Sequence, residues 1–479
     1  MSVLWTPEDF IAAVGGRAVG TDIAPIGGVS IDTRTLEKGD AFFAIRGDRL
    51  DGHDFVTGAI EKGAAVAVVD EEHAERFDTA VGALVVVPDV LDALRRLGQA
   101  ARARTGAKII GITGSVGKTG TKEALRLALS RSGRTHASAA SYNNHWGVPL
   151  TLARMPADTE YGVFEMGMNA PGEIAALTEQ VRPEIAIVTT VEPVHLEFFG
   201  TVEKIADAKA EIFEGLGPGG IAVLNADNPQ FGRLAEAARS CGARIVTFGE
   251  ADGADARLKR VSLRPDGSSV IADILGMEVA YKFGAPGRHL VGNSLAVLAA
   301  VKLAGADLAL AALALADMTA PKGRGARFRL SVAGGDVTVI DESYNANPAS
   351  MRAALALLGQ ADPGLRGRRI AVLGDMLELG EASRDLHREL AGPVADANVD
   401  LLFASGPHMQ ALYDEIPTLR RGRYSQASDG LVAALLDEVR PGDVVMVKGS
   451  LGSRMGPVVE ALRRRFAEIG GETAEAGAA

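Results

Sequence analysis

Short apolar runs alternate with helix-compatible segments from about residue 108 onward. Three of the runs are YGVFEMG (161–167), IAIVTTV (185–191) and IAVLNAD (221–227), and the segment VEKIADAKAEIFEGL (202–216) has a helical pattern. Alternation of apolar strands with helices is typical of parallel sheets that are joined by crossover helices. We therefore predict a parallel-sheet domain in this part of the chain.

The patterns on either side predict two further domains. Residues 1–107 contain short strands and turns, which favours a small mixed α/β domain. The Pro-, Gly- and Arg-containing stretch TAPKGRGAR near 318–327 is typical of a linker. After it, VTVIDESY, RRIAVLGDM, LLFASG and DVVMVKGS predict the strands of a Rossmann-like domain over residues 318–479. The central domain then covers 108–317, with the more polar stretch 255–283 as a hairpin insertion.

A glycine-rich turn interrupts the first strand–helix pair of the central domain. Residues 108–119, KIIGITGSVGKT, place the turn after an apolar run and before a helix-compatible segment, Lys122–Ser130. The backbone N–H groups of such a loop and the helix dipole hold phosphate oxygens. In this arrangement Lys118 reaches the terminal phosphates and the Thr119 hydroxyl binds Mg²⁺. The sequence thus predicts a phosphate-loop ATPase domain, with nucleotide contacts from Gly114, Ser115, Gly117, Lys118, Thr119 and Gly120.

Composition and charge exclude several other classes of protein. The formal net charge is −11, which argues against a nucleic-acid-binding protein. The single cysteine, Cys241, excludes an internal disulfide and suits a reducing compartment. The N-terminal residues lack the pattern of a signal peptide, and no apolar run reaches the roughly 18 residues of a membrane helix. We expect a soluble, cytoplasmic protein without membrane insertion.

Polar residues at predicted strand ends are the next candidates. Parallel sheets bind ligands beyond the carboxyl ends of their strands, where the central domain has Glu165, Glu192 and His195. Asn143 and Asn144 lie in a loop before an apolar segment. Taken singly, each is more often a satisfied polar residue. Beside a phosphate loop, carboxylate and imidazole groups favour a magnesium and nucleotide site.

Three other groups of residues have structural as well as functional interpretations. By spacing alone, Lys209 is a solvated lysine on a charged helix face. Arg324 and Arg327 lie in the predicted linker, where they can be solvated hinge residues. The three polar strand ends 341–345, 375–376 and 448–450 predict either a second binding face or helix caps made by Asp and Ser side chains.

The ordered motifs GITGSVGKT, NNHWGVPLTL, FEMGMN, EPVHLEFFG, AKAEIF, GRHLVGNSLAVLAA, DESYNANPASM, LGDMLELG and VKGSLGSRM resemble those of the Mur ligases. The opening segment SIDTRTLEKGDAFFAIRGDRLDGHDF resembles the uridine-binding domain of that family. The resemblance covers essentially the whole chain. SYNANP together with GDMLELG is its most discriminating pair, because other Mur ligases have different residues there.

The resemblance implies a catalytic and metal-binding set. Lys118 and Thr119 would bind the phosphates of ATP and Mg²⁺. Glu165 and His195 would ligate magnesium. Lys209 matches a lysine that family members carry as a carbamate, a carboxylate-like group that can hold a metal. The implied catalytic residues are therefore Lys118, Lys209, His195 and Glu165, and the implied metal ligands are Thr119, Glu165, His195 and Lys209.

The resemblance also implies contacts to both ends of the substrates. Asn293 matches the adenine-side asparagine, and Arg327 or Arg324 would meet phosphate on domain closure. The family usually has Asp-Asp before SYNANP, whereas this chain has Asp341-Glu342, so either carboxylate can take the ribose. Ser30, Thr33, Arg34 and Arg49 would lie near a uridine diphosphate. The remaining implied substrate contacts are Asn143, Asn144, Asn345, Asn347, Lys448 and Ser450.

The implied activity is ATP-dependent amide-bond formation. The resemblance is to the family member that joins D-alanyl-D-alanine to UDP-N-acetylmuramoyl-tripeptide through an acyl phosphate, which gives a peptidoglycan precursor. It implies ATP and Mg²⁺ as cofactors and a monomeric enzyme. The alternatives are a sister Mur ligase that adds the third amino acid, a folylpolyglutamate-synthase-like ligase, and a nucleotide switch that uses the phosphate loop without ligation.

Overall fold

The computed structural model contains three β-sheets, each formed by a separate stretch of the chain and covered by helices. It describes residues 3–47, 50–77, 82–139, 141–264, 267–320 and 323–469. The predicted α/β class with three units is confirmed. None of the described helices has the length and apolar character needed to span a membrane.

The N-terminal sheet is small and mixed. Its order is β1-β5-β4-β3-β2, and only β1 runs antiparallel to its neighbour. The strands are β1 (Arg17–Gly20), β2 (Gly28–Ser30), β3 (Asp40–Phe43), β4 (Val66–Asp70) and β5 (Ala83–Val87). The helices are α1 (Pro7–Val14), α2 (Val56–Glu61) and α3 (Val90–Ala103), with short 3₁₀ turns at Gly52–Phe55 and Ala74–Arg76.

The central sheet has the order β14-β13-β12-β11-β10-β9-β6-β8-β7 and is parallel from β7 to β12. Its strands are β6 (Lys108–Thr113), β7 (Thr135–Ala137), β8 (Tyr161–Glu165), β9 (Ile185–Val188), β10 (Ile221–Asn225), β11 (Arg244–Gly249), β12 (Ala256–Arg264), β13 (Gly267–Ile274) and β14 (Met277–Phe283). The hairpin predicted over 255–283 is wrong in one respect. This stretch forms three strands, because β12 pairs in parallel with β11 and extends the sheet before the two antiparallel strands follow.

The central helices lie on both faces of this sheet. They are α4 (Lys118–Leu129), α5 (Gly147–Ala153), α6 (Glu173–Val181), α7 (Leu196–Phe199), α8 (Val202–Ala210), α9 (Phe231–Ser240), α10 (Arg288–Leu303) and α11 (Leu308–Ala314), with 3₁₀ turns at Glu211–Gly215 and Leu315–Asp317. Two predicted boundaries are wrong. The helix after the glycine-rich turn begins at Lys118 instead of Lys122, and the helix predicted over 202–216 ends at Ala210. The rest of the predicted helix is the 3₁₀ turn Glu211–Gly215. Gly215, the last residue of this turn, packs so closely on α6 that an added Cβ would lie 2.2 Å from Thr178 Oγ1.

The C-terminal sheet has the order β19-β18-β17-β20-β16-β15-β21. Its strands are β15 (Ala326–Val332), β16 (Gly335–Glu342), β17 (Arg369–Gly374), β18 (Leu401–Ser405), β19 (Arg421–Ser425), β20 (Val444–Lys448) and β21 (Ala467–Ile469). The helices are α12 (Pro348–Gln360), α13 (Ser383–Arg388), α14 (Ala391–Asp396), α15 (Gln410–Glu415), α16 (Asp429–Glu438) and α17 (Gly456–Arg465), with 3₁₀ turns at Gly380–Ala382, Thr418–Arg420 and Leu451–Ser453.

One residue of the predicted linker belongs to this sheet. Arg327 lies in β15, opposite Ile340 of β16, so its assignment to a hinge is wrong. The antiparallel pairing with β16 also includes its chain neighbours Ala326 and Phe328, so its backbone is part of the strand. Arg324 precedes the strand and lies in the connection between the central and C-terminal sheets.

Helix α5 of the central unit packs into the N-terminal unit. Leu150 and Ala153 belong to the same buried cluster as Phe10 and Leu94. The indole N–H of Trp5 donates to the carbonyl of Ala153 at 3.1 Å. These contacts fix the N-terminal sheet against the loop that precedes α5, which contains the predicted Asn143 and Asn144.

Candidate active site

The phosphate loop is shaped by two glycines in the left-handed region of backbone space. Gly114 has φ 148° and Gly117 has φ 88°. A Cβ on Gly114 would lie 1.9 Å from Thr189 Oγ1, and one on Gly117 would lie 2.3 Å from Asn293 Nδ2. The Thr189 hydroxyl also donates to the carbonyl of Val116 at 2.6 Å. The end of β9 and helix α10 therefore hold the loop in a form that excludes side chains at both glycines.

Lys118 occupies the first turn of α4 and folds back over the loop. Its Nζ donates to the carbonyl of Gly114 at 2.7 Å. Burial lowers the pKa of Lys118, the carboxylate of Glu165 raises it, and the cation of Arg324 lowers it. The lysine is thus held at the loop between an acidic group of its own domain and an arginine at the start of the C-terminal domain.

Thr119, Glu165 and Asn143 form a hydrogen-bonded cluster beside this lysine. Thr119 Oγ1 donates to Glu165 Oε2 at 2.9 Å, and Asn143 Nδ2 donates to Glu165 Oε1 at 2.7 Å. Glu165 ends β8, the strand next to β6, and its residue is only 2% exposed. Hydroxyl, carboxylate and amide oxygens are the ligands that magnesium prefers. This cluster fits a magnesium ion held next to the phosphate loop.

Lys209 is buried on α8, with 2% of its surface exposed. Burial lowers the pKa of Lys209 well below its ordinary value, and the nearby cation of Lys118 lowers it further. Within the described ranges no acceptor or carboxylate pairs with its Nζ. The structure therefore disagrees with a solvated lysine. The lowered pKa favours the uncharged form of the amine, which is the nucleophilic form.

His195 lies at the contact between the central and C-terminal units. Its Nδ1 is 2.5 Å from Glu378 Oε2. Burial lowers the pKa of His195, and the carboxylate of Glu378 opposes that shift. Lys209 and Lys118 are close enough to lower the pKa further. The imidazole, both lysines and Glu165 thus surround one small region beside the phosphate loop.

A cavity of about 730 Å³ joins this region to the C-terminal unit. Most of the sequence-predicted site residues line it. They are Ser115, Gly117, Lys118, Thr119, Gly120, Asn143, Asn144, Glu165, His195, Asn293, Arg324, Glu342, Asn345, Asn347 and Lys448.

In two pairs of residues between which the sequence leaves the choice open, one member lines the cavity and the other does not. Glu342 lines it and accepts from Lys448 Nζ at 3.3 Å, whereas Asp341 is turned into its own loop. There Asp341 accepts from the backbone N–H and the hydroxyl of Ser343. Arg324 lines the cavity and stacks over Tyr344 at 4.3 Å, while Arg327 does not line it.

Three further predicted residues lie behind the cavity wall. Gly114 is covered by Lys118 at the base of the loop. Lys209 lies beside the lysine of the loop without lining the cavity. Ser450 accepts a hydrogen bond from the backbone N–H of Leu377 at 3.0 Å and is 6% exposed. Its position indicates support of the loop after β17.

The predicted uridine-side residues are in the N-terminal unit, outside this cavity. The hydroxyl of Ser30 is buried and donates to the carbonyl of Asp32. The Thr33 carbonyl accepts from Lys62 Nζ at 2.7 Å. Arg34 is exposed and pairs with Asp32. Arg49 lies outside the described residues.

Sequence reasoning missed the residues at the ends of β10 and β11. Asn225, Asp227, Phe248 and Glu250 line the cavity. Glu250 pairs with Arg288 at the start of α10, the helix that contains Asn293. Asp227 accepts from the backbone N–H of Glu250 at 2.7 Å and so holds the ends of the two strands together. The rule that pointed to Glu165 at the end of β8 applies equally to the strand IAVLNAD and would have found the first two.

A histidine–aspartate cluster in the N-terminal unit is a structural feature. His53 and His73 are buried and stacked with ring centroids 4.1 Å apart. Each Nδ1 lies 2.6 Å from an aspartate oxygen, Asp51 for His53 and Asp70 for His73. These short separations are hydrogen bonds that lock the loops at 51–53 and 70–73.

Three family models match the chain in order. They are the Mur ligase family, catalytic domain (residues 25–105), the Mur ligase middle domain (residues 112–301) and the Mur ligase, glutamate ligase domain (residues 326–451). Together these models span most of the three structural units.

Known proteins resemble the chain over nearly its whole length. The UDP-N-acetylmuramoyl-tripeptide–D-alanyl-D-alanine ligase of Rickettsia prowazekii is 33% identical over 90% of this chain and 94% of its own. The Escherichia coli ligase of the same name is 33% identical over 94% and 96%. A crystal structure of MurF from Acinetobacter baumannii has a TM-score of 0.82 and 30% identity over 96% of this chain and 99% of its own. MurF from Thermotoga maritima, solved in complex with ADP, has a TM-score of 0.75 and 27% identity over 91% and 97%.

Proposed function

The chain belongs to the Mur ligase family, and we propose that it is the ATP-dependent ligase that joins D-alanyl-D-alanine to UDP-N-acetylmuramoyl-tripeptide. The product is the UDP-linked pentapeptide precursor of peptidoglycan. The observation that carries the proposal is the cavity in which the phosphate loop faces the polar strand ends of the C-terminal sheet. A ligase needs such a site, because nucleotide and incoming amine must meet at one carboxylate.

In the first step the terminal carboxylate of the tripeptide attacks the γ-phosphate of ATP and forms an acyl phosphate. Two anions must approach each other, so positive charge has to be concentrated between them. Lys118 is fixed over the loop by its bond to Gly114, and Arg324 lines the same cavity close enough to lower the pKa of Lys118. These two cations would neutralise the phosphate oxygens as charge moves toward the leaving ADP.

In the second step the free amine of D-alanyl-D-alanine attacks the acyl carbon and phosphate leaves. Lys448 is almost fully buried and donates to Glu342 and to the carbonyl of Asn345. It therefore fixes the loop that begins SYNANP, in which the side chain of Asn347 caps α12. We assign Asn345, Asn347 and Lys448 to the dipeptide side, with Ser450 supporting the adjacent loop.

Magnesium would be held by Thr119, Glu165 and His195, and when bound it supplies positive charge to the phosphates. Lys209 would complete this group as a carbamate. Its burial and the cation of Lys118 both favour the uncharged amine, which is the form that reacts with carbon dioxide. The modified side chain carries a negative charge that Lys118 would compensate.

The nucleotide base and the ribose would lie toward α10 and the ends of β10 and β11. Asn293 touches the loop at Gly117, and Asp227 and Glu250 border the same end of the cavity. Glu342, which faces the cavity, is the better ribose partner of the pair Asp341-Glu342.

The domains would divide the substrates among them. We assign residues 1–107 to the uridine diphosphate end, 108–317 to ATP and 318–479 to closure over ATP and to the dipeptide. An acyl phosphate hydrolyses in water, so the C-terminal unit must cover it. The short connection around Arg324 is the hinge that this closure requires. A cytoplasmic monomer stays our expectation from the sequence.

One assay tests the activity against its alternatives. Purified protein is incubated with ATP, Mg²⁺, UDP-N-acetylmuramoyl-tripeptide and a panel of amino acids and dipeptides, and the products are identified by mass spectrometry. We expect one new amide product, formed with D-alanyl-D-alanine. A product with a single amino acid indicates a sister Mur ligase, and a glutamate adduct of a folate indicates a folylpolyglutamate synthase. Phosphate release that is independent of any amine indicates a nucleotide switch.

A further inference from the structure

Glu378 and His195 meet across the boundary between the central and C-terminal units. His195 immediately precedes α7, and Glu378 lies in the loop between β17 and the 3₁₀ turn at Gly380–Ala382. The imidazole Nδ1 is 2.5 Å from Glu378 Oε2. A second hydrogen bond runs from the backbone N–H of Glu197 to the carbonyl of Glu378 at 3.2 Å.

Both residues have backbone conformations that side-chain-bearing residues seldom adopt. His195 has φ 55° and Glu378 has φ 62°. Conformations of this kind persist only where the surrounding structure determines them, and they occur often at functional sites. Here the two unusual turns aim their side chains at each other, so the contact is specific to this pair.

The contact determines which atom of the imidazole is available to a ligand. His195 lines the cavity. With Nδ1 engaged by a carboxylate, Nε2 is the ring nitrogen left to face a metal. Metal-binding histidines commonly donate their other N–H to a carboxylate, which fixes the tautomer and the ring orientation and makes the ligand more basic. In this chain the carboxylate comes from a different domain than the histidine.

We propose that Glu378 is a positioning residue that holds the Nδ1–H of His195 when the C-terminal domain docks, and so prepares Nε2 to bind magnesium. The proposal rests on the proposed function, in which His195 is a magnesium ligand. It makes the metal site complete only in the docked arrangement. Nucleotide-bound magnesium and domain docking then strengthen each other, since each favours the same state.

Glu378 can be tested without disturbing the backbone contact. Substitution to Ala or Gln removes the carboxylate, while the bond from Glu197 to the carbonyl of residue 378 is retained. Glu381 is the matched control, because it is an exposed acid three residues further along the chain, in the adjacent 3₁₀ turn. It has no ion pair or side-chain hydrogen bond within the described part of the chain. Glu381→Gln makes the same change in net charge.

The primary measurement is the affinity of Mn²⁺, as a probe of the magnesium site, for the full-length enzyme saturated with ADP, read by electron paramagnetic resonance. We expect Glu378→Ala to weaken it by about 10- to 100-fold, the usual cost of losing a carboxylate partner of a metal-binding histidine. Glu378→Gln should lie between Ala and the wild type, because its amide oxygen still accepts one hydrogen bond. Glu381→Gln should match the wild type.

Two further measurements separate positioning from simple latching of the domains. Domain docking of the same samples is followed by small-angle X-ray scattering, and the Mn²⁺ titration is repeated in a His195→Ala background. We expect Glu378→Gln to dock like the wild type yet bind Mn²⁺ more weakly, and Glu378→Ala to have no added effect once His195 is absent. Unchanged Mn²⁺ affinity in Glu378→Ala overturns the proposal, as does weakening that only follows loss of docking. If His195→Ala alone leaves Mn²⁺ affinity unchanged while Glu165→Ala abolishes it, the assignment of His195 in the proposed function has failed.

Discussion

Thr119 Oγ1 donates a hydrogen bond to Glu165 Oε2 at 2.9 Å, which joins the first turn of α4 to the carboxyl end of β8. The two residues are 46 positions apart in the sequence. Thr119 lies at the start of the helix that follows β6, and Glu165 lies at the end of β8, the strand next to β6. A hydroxyl and a carboxylate so placed can bind one cation without moving. Their contact joins the phosphate loop and the acidic strand end in one hydrogen-bonded cluster.

Thr119→Val should impair metal binding and leave the fold intact. Valine has nearly the same shape and lacks the hydroxyl, so the loss is confined to one ligand and one hydrogen bond. We expect Mn²⁺ affinity in the presence of ADP to fall about tenfold or more, in line with the loss of one ligand-shell contact. Electron paramagnetic resonance measures the affinity, and thermal unfolding checks the fold.

Thr121→Val is the matched control for this change. Thr121 lies on the same helix, and its hydroxyl is buried without a hydrogen-bond partner within the described part of the chain. The Thr121→Val variant should bind Mn²⁺ with the same affinity as the wild type. Equal effects of the two substitutions would mean that helix packing, and not the hydroxyl of Thr119, explains the result.

Lys118→Ala should abolish ligation while the protein stays folded. The lysine is half-buried, and among the described residues its Nζ bonds only to the loop carbonyl of Gly114. Its removal therefore costs the phosphates a cation and costs the fold little. Loss of one preorganised group that stabilises transition-state charge lowers kcat by about 100- to 1,000-fold. Steady-state phosphate release measures the effect.

Lys108→Ala provides the comparison, since Lys108 is exposed at the other end of β6. It should keep wild-type turnover. A Lys118→Ala enzyme with near-normal turnover would show that the phosphate-loop assignment is wrong.

Much of the central domain could be predicted because its main features depend on residues that are close together in the sequence. The phosphate loop needs Gly114 and Gly117 at fixed positions next to a strand and a helix, and that pattern is visible in the sequence. Glu165 and His195 follow apolar strands, so a parallel sheet brings them to one edge. The positions of these residues could be predicted from the order of strand, loop and helix along the chain, and from the rule that parallel strands end at the same edge of a sheet.

Other features depend on contacts between distant segments and could not be predicted. The helix pattern around Lys209 predicts a solvated side chain, and only the packed structure shows that it is buried beside Lys118. Glu378 lies within the motif GDMLELG, but the motif does not indicate the role that we propose for it, because that role depends on a contact between two domains. Arg327 was predicted in a linker because its neighbours are Gly and Arg, whereas pairing with β16 places it in a strand.

Carbamylation of Lys209 can be observed directly. Enzyme equilibrated with isotopically labelled bicarbonate should give a carbamate resonance in carbon NMR, and Lys209→Ala should lack it. The physical reason is that burial and the cation of Lys118 both lower the pKa of Lys209, which favours the uncharged, reactive amine. The same variant should lose most of its activity and regain part of it with short-chain carboxylic acids, which replace the missing carboxylate.

The control for this test lies on the same helix. Lys204 is exposed on α8, so Lys204→Ala should keep both the resonance and the activity. The carbamate assignment would be contradicted if Lys209→Ala kept full activity and the wild-type enzyme showed no carbamate resonance.

Arg34→Ala should raise the KM for UDP-N-acetylmuramoyl-tripeptide and leave the KM for D-alanyl-D-alanine nearly unchanged. Arg34 is exposed in the turn after β2, where its guanidinium can pair with a diphosphate through two N–H donors. Loss of uniform binding appears in KM while kcat is nearly constant. Steady-state kinetics with each substrate varied in turn provides the measurement.

Arg17→Ala is the comparison, because Arg17 is exposed on β1 at the opposite edge of the same sheet. It should leave both KM values unchanged. An Arg34→Ala enzyme with a raised KM only for the dipeptide would reverse the assignment of the N-terminal domain.

His387 is a buried, uncharged histidine in the C-terminal domain. Its Nε2 accepts the backbone N–H of Met376 at 2.9 Å, and its Nδ1 donates to the carbonyl of Ser383 at 2.6 Å. Both nitrogens are therefore satisfied in one neutral tautomer. Burial lowers the pKa of His387, the carboxylate of Asp375 opposes the shift, and His408 adds to it.

The stability of the C-terminal domain should consequently fall as the pH is lowered below about 6.5, the ordinary pKa of histidine. In that range the unfolded chain binds a proton that the native state does not, so the free energy of unfolding rises with pH, by at most about 1.4 kcal/mol per pH unit from this group. The contribution of the uncharged His387 to the free energy of unfolding is fully present well above the unfolded pKa of about 6.5. His387→Gln retains a polar side chain that does not titrate, and it should be less stable at pH 7 and less dependent on pH between about 6.5 and 5. Urea unfolding followed by pulse proteolysis detects cleavage within the C-terminal domain. It measures how the free energy of unfolding changes with pH in the wild type and in His387→Gln. An identical slope in the variant would show that another group dominates the acid sensitivity of this domain.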